Sequence, residues 1–197
     1  MYNICNLLLS YSLFHHVGHS VNNQKIFMTI IKLVVSLCYC YQYYAYSDSF
    51  EYLNILLTSF FLYDIFYITF FVGFRTLVFN MVIYHHLCII YAMNFDPIVS
   101  PSATYLLGLG EFTNIFMYSH YLLLQIKNIP SYIIKYSLYI EMTSYVLVRC
   151  FYFTYVILSK EWRDTFDISF YYFVIPVYFM GMFWGKNLLY QFYIKNK

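Results

Sequence analysis

The chain has 197 residues, of which 62% are hydrophobic and 10% charged, with a formal net charge of +2. A soluble domain carries roughly 25% charged residues to cover its surface, so composition argues against a water-covered globule and points to lipid as the covering solvent. The small net charge excludes an electrostatic partner such as nucleic acid.

The length allows one domain, residues 1–197, of six or seven helical spans at about 20 residues each. The 26 tyrosines and 21 phenylalanines fit in part the aromatic belts that sit at a bilayer interface. Cys5, Cys38, Cys40, Cys88 and Cys150 are odd in number and match no paired framework. Four of them lie in apolar segments and read as small buried hydrophobes. The N-terminus lacks a basic leader and a small-residue cleavage site, so the first apolar segment is expected to stay as a span.

Apolar runs between polar breaks give seven candidate spans. They are Cys5–Val21, Ile26–Tyr46, Leu53–Phe74, Leu77–Met93, Ala103–Gln125, Ile133–Leu158 and Phe166–Tyr190. The fold class predicted is all-α, a polytopic integral membrane bundle of six to seven transmembrane helices. Lys and Arg set the orientation through their cytoplasmic bias. With the N-terminus lumenal, Lys25, Lys32, Arg75, Lys127, Lys135, Lys186, Lys195 and Lys197 fall inside. Only Lys160 and Arg163 then fall outside, and Arg149 is left within the membrane. The C-terminus is cytosolic in this arrangement.

His85 and His86 sit together in the middle of the fourth apolar run. Ionisable side chains at that depth are costly and mark sites by default. They are accompanied by His15-His16-His19, Asp64, Glu111, Glu141 and Arg149. At ~1.5 Å per residue, His15 and Asp64 lie ~15–17 Å below the outer ends of their spans. By the same measure His85 and His86 lie ~11–12 Å down, Glu111 ~12 Å and Arg149 ~13 Å. Five spans thus bring a polar group to one slab of the bilayer, as a cavity lining would. The plain alternative is pairing, with Arg149 stapled to Glu111 or Asp64 as a structural contact.

A neutral histidine is a ready base or nucleophile. A carboxylate against it, Asp64 or Glu111, would orient the ring and stabilise its cation. Arg149 has the planar fork that grips a phosphate or carboxylate headgroup. The set suits acyl transfer on a lipid, and equally a lipid-binding pocket without chemistry. A metal site is the rival, since His15 and His19 lie one helical turn apart and His85-His86 adds two more rings. Di-iron desaturases and hydroxylases use more histidines than the six present, so no metal is expected. Phosphate loops, dinucleotide fingerprints and serine-nucleophile elbows are absent. Gly108-Leu109-Gly110 reads as a close helix contact.

Several of these residues resemble the TLC-domain family, the multi-span fold shared by ceramide synthases and several small lipid-related proteins. Ser12-Leu13-Phe14-His15 resembles its opening Ser-x-x-His, Tyr63-Asp64 its Tyr-Asp, and His85-His86 its double histidine. Leu109-Gly110-Glu111-Phe112-Thr113 resembles the Leu-x-Glu-x-Ser/Thr of its small members, and Arg149 an Arg of a later span. Ceramide synthases carry His-Asp-x-x-Asp where this chain has Gly110-Glu111-Phe112-Thr113-Asn114. The chain therefore resembles the small members more than the sphingoid-base acyltransferases.

The resemblance implies an endoplasmic reticulum or related endomembrane protein that binds or modifies membrane lipids. His85, His86, Asp64 and Glu111 are its candidate catalytic residues; Arg149, His15 and Asn114 are its candidate lipid contacts. No cofactor is implied, and acyl-CoA is the co-substrate that acyl transfer would need. The alternative from another class is a non-catalytic receptor or assembly protein for membrane clients.

Overall fold

A computed structural model describes residues 24–45, 50–69, 77–94, 100–160 and 168–195. Among these residues the chain is helical, with no strand, so the all-α class holds. The helices are α1 (Gln24–Ala45), α2 (Phe50–Tyr67), α3 (Leu77–Asn94), α4 (Ser100–Gln125), α5 (Ser131–Tyr145), α6 (Phe153–Leu158) and α7 (Ile168–Lys195). Between α5 and α6 the backbone continues as a wider π-helical turn, Val146–Tyr152. Of the six later candidate runs, five each overlap one helix, while Ile133–Leu158 covers α5, the π segment and α6; Tyr46 and residues 70–74 and 166–167 of these runs lie outside the described residues. The first, Cys5–Val21, lies outside the described residues.

Local chemistry explains the breaks. After α4 the backbone takes a positive φ of 65° at Asn128, a left-handed conformation that Asn tolerates better than most residues. Pro130 follows at the N-cap of α5, where its missing N–H costs nothing. In the π segment the Phe153 N–H reaches Val148 O, five residues back. The widened turn re-aims the side chains around Arg149.

The rods close into a ring. α1 packs most extensively on α4, α4 on α5, α5 and the π segment on α7, α7 on α3, α3 on α2, and α2 on α1. A cluster of Val35, Tyr39, Leu57, Phe60 and Phe61, joined by Ile31, Ile89 and Ile90, fills the space between α1, α2 and α3.

Many outward side chains are apolar, and several polar ones are buried. On α1, Ile30, Val34, Leu37 and Tyr41 form one exposed stripe, while Ser36 on the opposite face is fully buried. On α7, Tyr172, Ile175, Phe179, Met182 and Phe183 are exposed. The buried set includes Thr58, Ser59, Asp64, His86, Glu111, Thr113, His120 and Glu141. Among the described residues, no helix is long and apolar enough to cross a membrane. The inward polar residues and the many tyrosines both lower the averages.

Two contacts show how α7 is accommodated. Pro176 lies inside it, and a proline lacks the N–H that would bond the carbonyl four residues back. That carbonyl belongs to Tyr172, and the Tyr84 hydroxyl of α3 donates to it at 3.0 Å. Nearer the C-terminal end, a Cβ at Gly185 would meet Cys150 Sγ at 2.6 Å, so only glycine permits the approach of α7 to the π segment.

Tyr84→Phe is expected to cost about 1 kcal/mol, the net worth of one hydrogen bond, read as a lowered unfolding temperature in detergent. Gly185→Ala is expected to cost about 1–3 kcal/mol through overpacking. Adding Cys150→Ala, which removes the clashing sulfur, should recover most of that loss, and additive losses would show that the clash is not the cause.

Candidate functional site

A cavity of about 440 Å³ occupies the centre of the ring, within the size range of small-molecule sites, and every helix but α6 contributes to its wall. α1 supplies Lys32, Val35 and Ser36; α2 supplies Phe60, Phe61 and Asp64; α3 supplies Val82, His85 and His86. α4 adds Glu111, Asn114, Met117, Tyr118 and Tyr121, α5 adds Glu141 and Tyr145, and the π segment adds Arg149. α7 closes the wall with Trp184, Asn187, Leu188 and Gln191. Six of the seven site residues expected from the sequence therefore line one space: His85, His86, Asp64, Glu111, Asn114 and Arg149. His15 lies outside the described residues, as do His16 and His19.

Asp64 is buried and held by Lys32, whose Nζ lies 3.0 Å from Oδ1 and 3.1 Å from Oδ2. This bidentate pair ties α1 to α2. The Lys32 side chain is 26% exposed and its ammonium meets a carboxylate. His86 Nδ1 stands 3.7 Å from Asp64 Oδ2, too far for a hydrogen bond. The expected carboxylate-oriented histidine is thus not formed, because Lys32 takes both carboxylate oxygens. The His86 ring stacks against Phe61 at 4.9 Å between centroids and lies 5.6 Å from the His85 ring. Among the described residues neither His85 Nδ1 nor His86 Nδ1 has a hydrogen-bond partner, although both atoms are buried.

Glu111 is held differently. Ser36 Oγ donates to Oε2 at 2.5 Å and Asn114 Nδ2 donates to Oε1 at 3.0 Å. Neither donor is charged. On its other side Asn114 accepts at Oδ1 from Arg149 Nη2 at 2.7 Å. Asn114 is thus a neutral bridge between Glu111 and Arg149.

Arg149 makes three bonds to α4. Nε donates to Thr113 Oγ1 at 2.8 Å, and Nη2 donates to Gly110 O and to Asn114 Oδ1, each at 2.7 Å. None of the three uses Nη1. Its Cζ lies 4.8 Å from the centroid of the Tyr145 ring, a cation–π contact. The expected staple from Arg149 to Glu111 or Asp64 is not formed. Every protein partner of this guanidinium is neutral, and among the described residues no carboxylate lies at ion-pair distance. Gly110 explains the approach: a Cβ there would already touch Arg149 Nη2 at 3.4 Å. The close helix contact expected at Gly108-Leu109-Gly110 thus includes an arginine on a backbone carbonyl.

A second polar group lies beside the first. His120 Nδ1 and Ser137 Oγ are 2.6 Å apart, and His120 Nε2 lies 4.0 Å from Glu141 Oε2. Glu141 reaches the central wall, so the two groups share one side chain. Among the described residues no three His, Cys, Asp or Glu side chains converge as metal ligands.

Sequence reasoning did not single out Ser36, Tyr118, Trp184, Asn187 or Gln191. Asn187 and Gln191 are one helical turn apart on an apolar rod, a spacing that places both on one face. That signal was there to be read. Ser36 and Tyr118 had none, since serine and tyrosine are common along this chain.

Lys32→Met leaves Asp64 buried without its cation and is expected to cost about 3 kcal/mol, as breaking a buried pair does. The double variant Lys32→Met, Asp64→Leu should recover most of that, read by thermal unfolding in detergent; a double variant no more stable than the single one would show that the pair is not the source. Arg149→Lys is expected to be as damaging as Arg149→Gln, because an ammonium cannot reach Thr113, Gly110 and Asn114 together.

No family model matches the chain, and no curated protein and no solved structure does either.

Proposed function

We propose that this chain is a multi-pass integral membrane protein of the TLC type that binds the anionic polar end of a membrane lipid in its central cavity. The observation that carries this reading is Arg149, a cation on the cavity wall whose protein partners are all neutral. A part-buried guanidinium bonded only to neutral groups favours an anion, and a phosphate or carboxylate headgroup supplies oxygens that its fork can bind in pairs. The faces of the ring support the setting. Ile30, Val34, Leu37, Phe179 and Phe183 are exposed, where lipid chains suit them, while Asp64, Glu111 and Glu141 are buried; Lys135 and Lys186 are exposed cations on α5 and α7. Exposed apolar side chains over buried carboxylates are the arrangement a helical bundle adopts when its solvent is hydrocarbon.

Lys32, held on the opposite wall by Asp64, is a second cation within the same cavity. The carboxylates Glu111 and Glu141 give the wall the opposite sign elsewhere. A lipid whose headgroup carries both an anion and a hydroxyl or amine has partners on both sides. The endoplasmic reticulum or a related endomembrane is the location that the family resemblance suggests.

A second reading, acyl transfer, is favoured by one specific feature: His85 Nδ1 is buried, unpartnered and on a residue that lines the cavity. In this scheme the unprotonated imidazole nitrogen attacks the thioester carbonyl of acyl-CoA. A C–N bond forms as the C–S bond breaks, and the thiolate of CoA leaves. The acyl group then passes from the ring to a lipid hydroxyl or amine, whose proton goes to a nearby base. Asp64 is committed to Lys32 and Glu111 to Ser36 and Asn114, so the ring nitrogen released in the transfer is itself the base nearest at hand.

The test is native mass spectrometry of the protein purified in mild detergent, with extraction and identification of bound lipid. The expected result is one anionic lipid per chain, with occupancy falling about tenfold or more in Arg149→Gln, the loss of one or more charge-assisted hydrogen bonds. Wild-type protein that carries no lipid and binds none on addition would overturn the reading. The His85→Ala, His86→Ala variant separates the two schemes: retained lipid with loss of an acylated histidine species supports transfer, whereas retained lipid with no such species in wild type supports binding alone.

A further inference from the structure

Beside the central cavity lies a smaller one of about 200 Å³, between α3 and α7. Met81, Tyr84 and His85 line it from α3, and Pro176, Val177 and Met180 from α7. The Tyr84 hydroxyl is occupied by the Tyr172 carbonyl. The imidazole of His85 is the only other polar side chain in this lining. A water molecule needs two to four polar partners to stay in such a space, and the remaining walls are methionine, valine and proline. His85 also lines the central cavity, so a single side chain separates the two spaces. On the outer side, Tyr84, Tyr172, Ile175 and Phe179 are exposed, making the surrounding surface apolar and aromatic.

We propose that this smaller cavity is the hydrocarbon-chain subsite of the central site. One acyl chain leaves the bilayer between α3 and α7, passes through the apolar space beside Pro176, and meets its own polar end at His85 and the central wall. The inference rests on reading the central cavity as a lipid site, and adds to it which gap between helices the chain uses. Three features select this occupant: continuity with the central cavity through His85, a lining with almost no free polar group, and an opening onto the outward apolar face. Pro176 has a part in it. The bonded ladder of α7 is interrupted there, and the interruption is capped from α3 by Tyr84 and not from within α7. The helices are thereby held by a hydrogen bond at the rim, leaving the space below it to an unbranched chain.

The experiment uses full-length protein in detergent with single-chain anionic lipids, lysophosphatidic acids of eight and sixteen carbons, as probes. Wild type is expected to bind the sixteen-carbon probe more tightly. Val177→Trp, which fills the small cavity, should weaken both probes about tenfold, since the carbons next to the polar end are the ones this cavity holds. Arg149→Gln should weaken both. A Val177→Trp variant that binds both probes as wild type does would overturn the chain subsite while leaving the headgroup site intact. Wild type that binds neither probe would overturn the lipid reading itself and the subsite with it. A photo-crosslinking sixteen-carbon lipid on unmodified protein gives a readout independent of the variants' folding. Labels at Met81, Val177 or Met180 support the subsite; labels confined to outward residues such as Phe183 overturn it.

Discussion

The guanidinium of Arg149 has to be satisfied within a ring of helices whose outer faces offer it nothing, and the manner of its satisfaction fixes much else. It draws the π segment onto α4 at Gly110, Thr113 and Asn114. By engaging Asn114 on one side it presents the amide to Glu111 on the other, and Glu111 reaches Ser36 on α1. A single line of hydrogen bonds thus runs from the π segment through α4 to α1. Interrupting it at any point leaves a buried polar group unpaired, which costs more than the bond itself contributes.

The Lys32–Asp64 pair organises the other side by different means. There two full charges cancel each other at 3.0 Å, and α1 and α2 are tied by an ion pair. On the Arg149 side the charge is spread over a carbonyl, a hydroxyl, an amide and an aromatic ring. The first arrangement is complete without a ligand. The second engages Nε and Nη2 and leaves Nη1 without a bond among these contacts. The two ends of the cavity thus differ: one holds a closed ion pair and the other a cation bonded only to neutral groups.

Helix positions were legible because the breaks are chemically abrupt: Asn94 to Pro101, and Asn128 to Ser131, interrupt long apolar runs. Six site residues were legible because an ionisable or amide side chain in such a run has few other uses. Their pairing was not. Arg149 was expected to seek Glu111 or Asp64, since opposite charges suggest partners. The actual partner, the Gly110 carbonyl, is accessible only because glycine has no side chain, and a backbone acceptor leaves no mark in a sequence. Lys32 entered the sequence reading only as one of the cations counted for orientation, and nothing in its own segment names a partner; the neighbouring rod shows that it reaches Asp64. The π segment was hidden as well, since Val146–Tyr152 has the same kind of composition as the turns on either side.

The hydrogen bond from Tyr84 to Tyr172 bears on how the molecule is assembled. The carbonyl that Pro176 leaves open belongs to the last helix, and the hydroxyl that closes it sits 88 positions earlier in the chain. During synthesis from the N-terminus the donor is in place before its acceptor exists. The most awkward helix of the bundle thus arrives where its one missing bond is already provided, and α3 acts as a template for α7. Were the order of the two helices reversed, the interrupted rod would have to wait, with an unpaired carbonyl, for the rod that completes it.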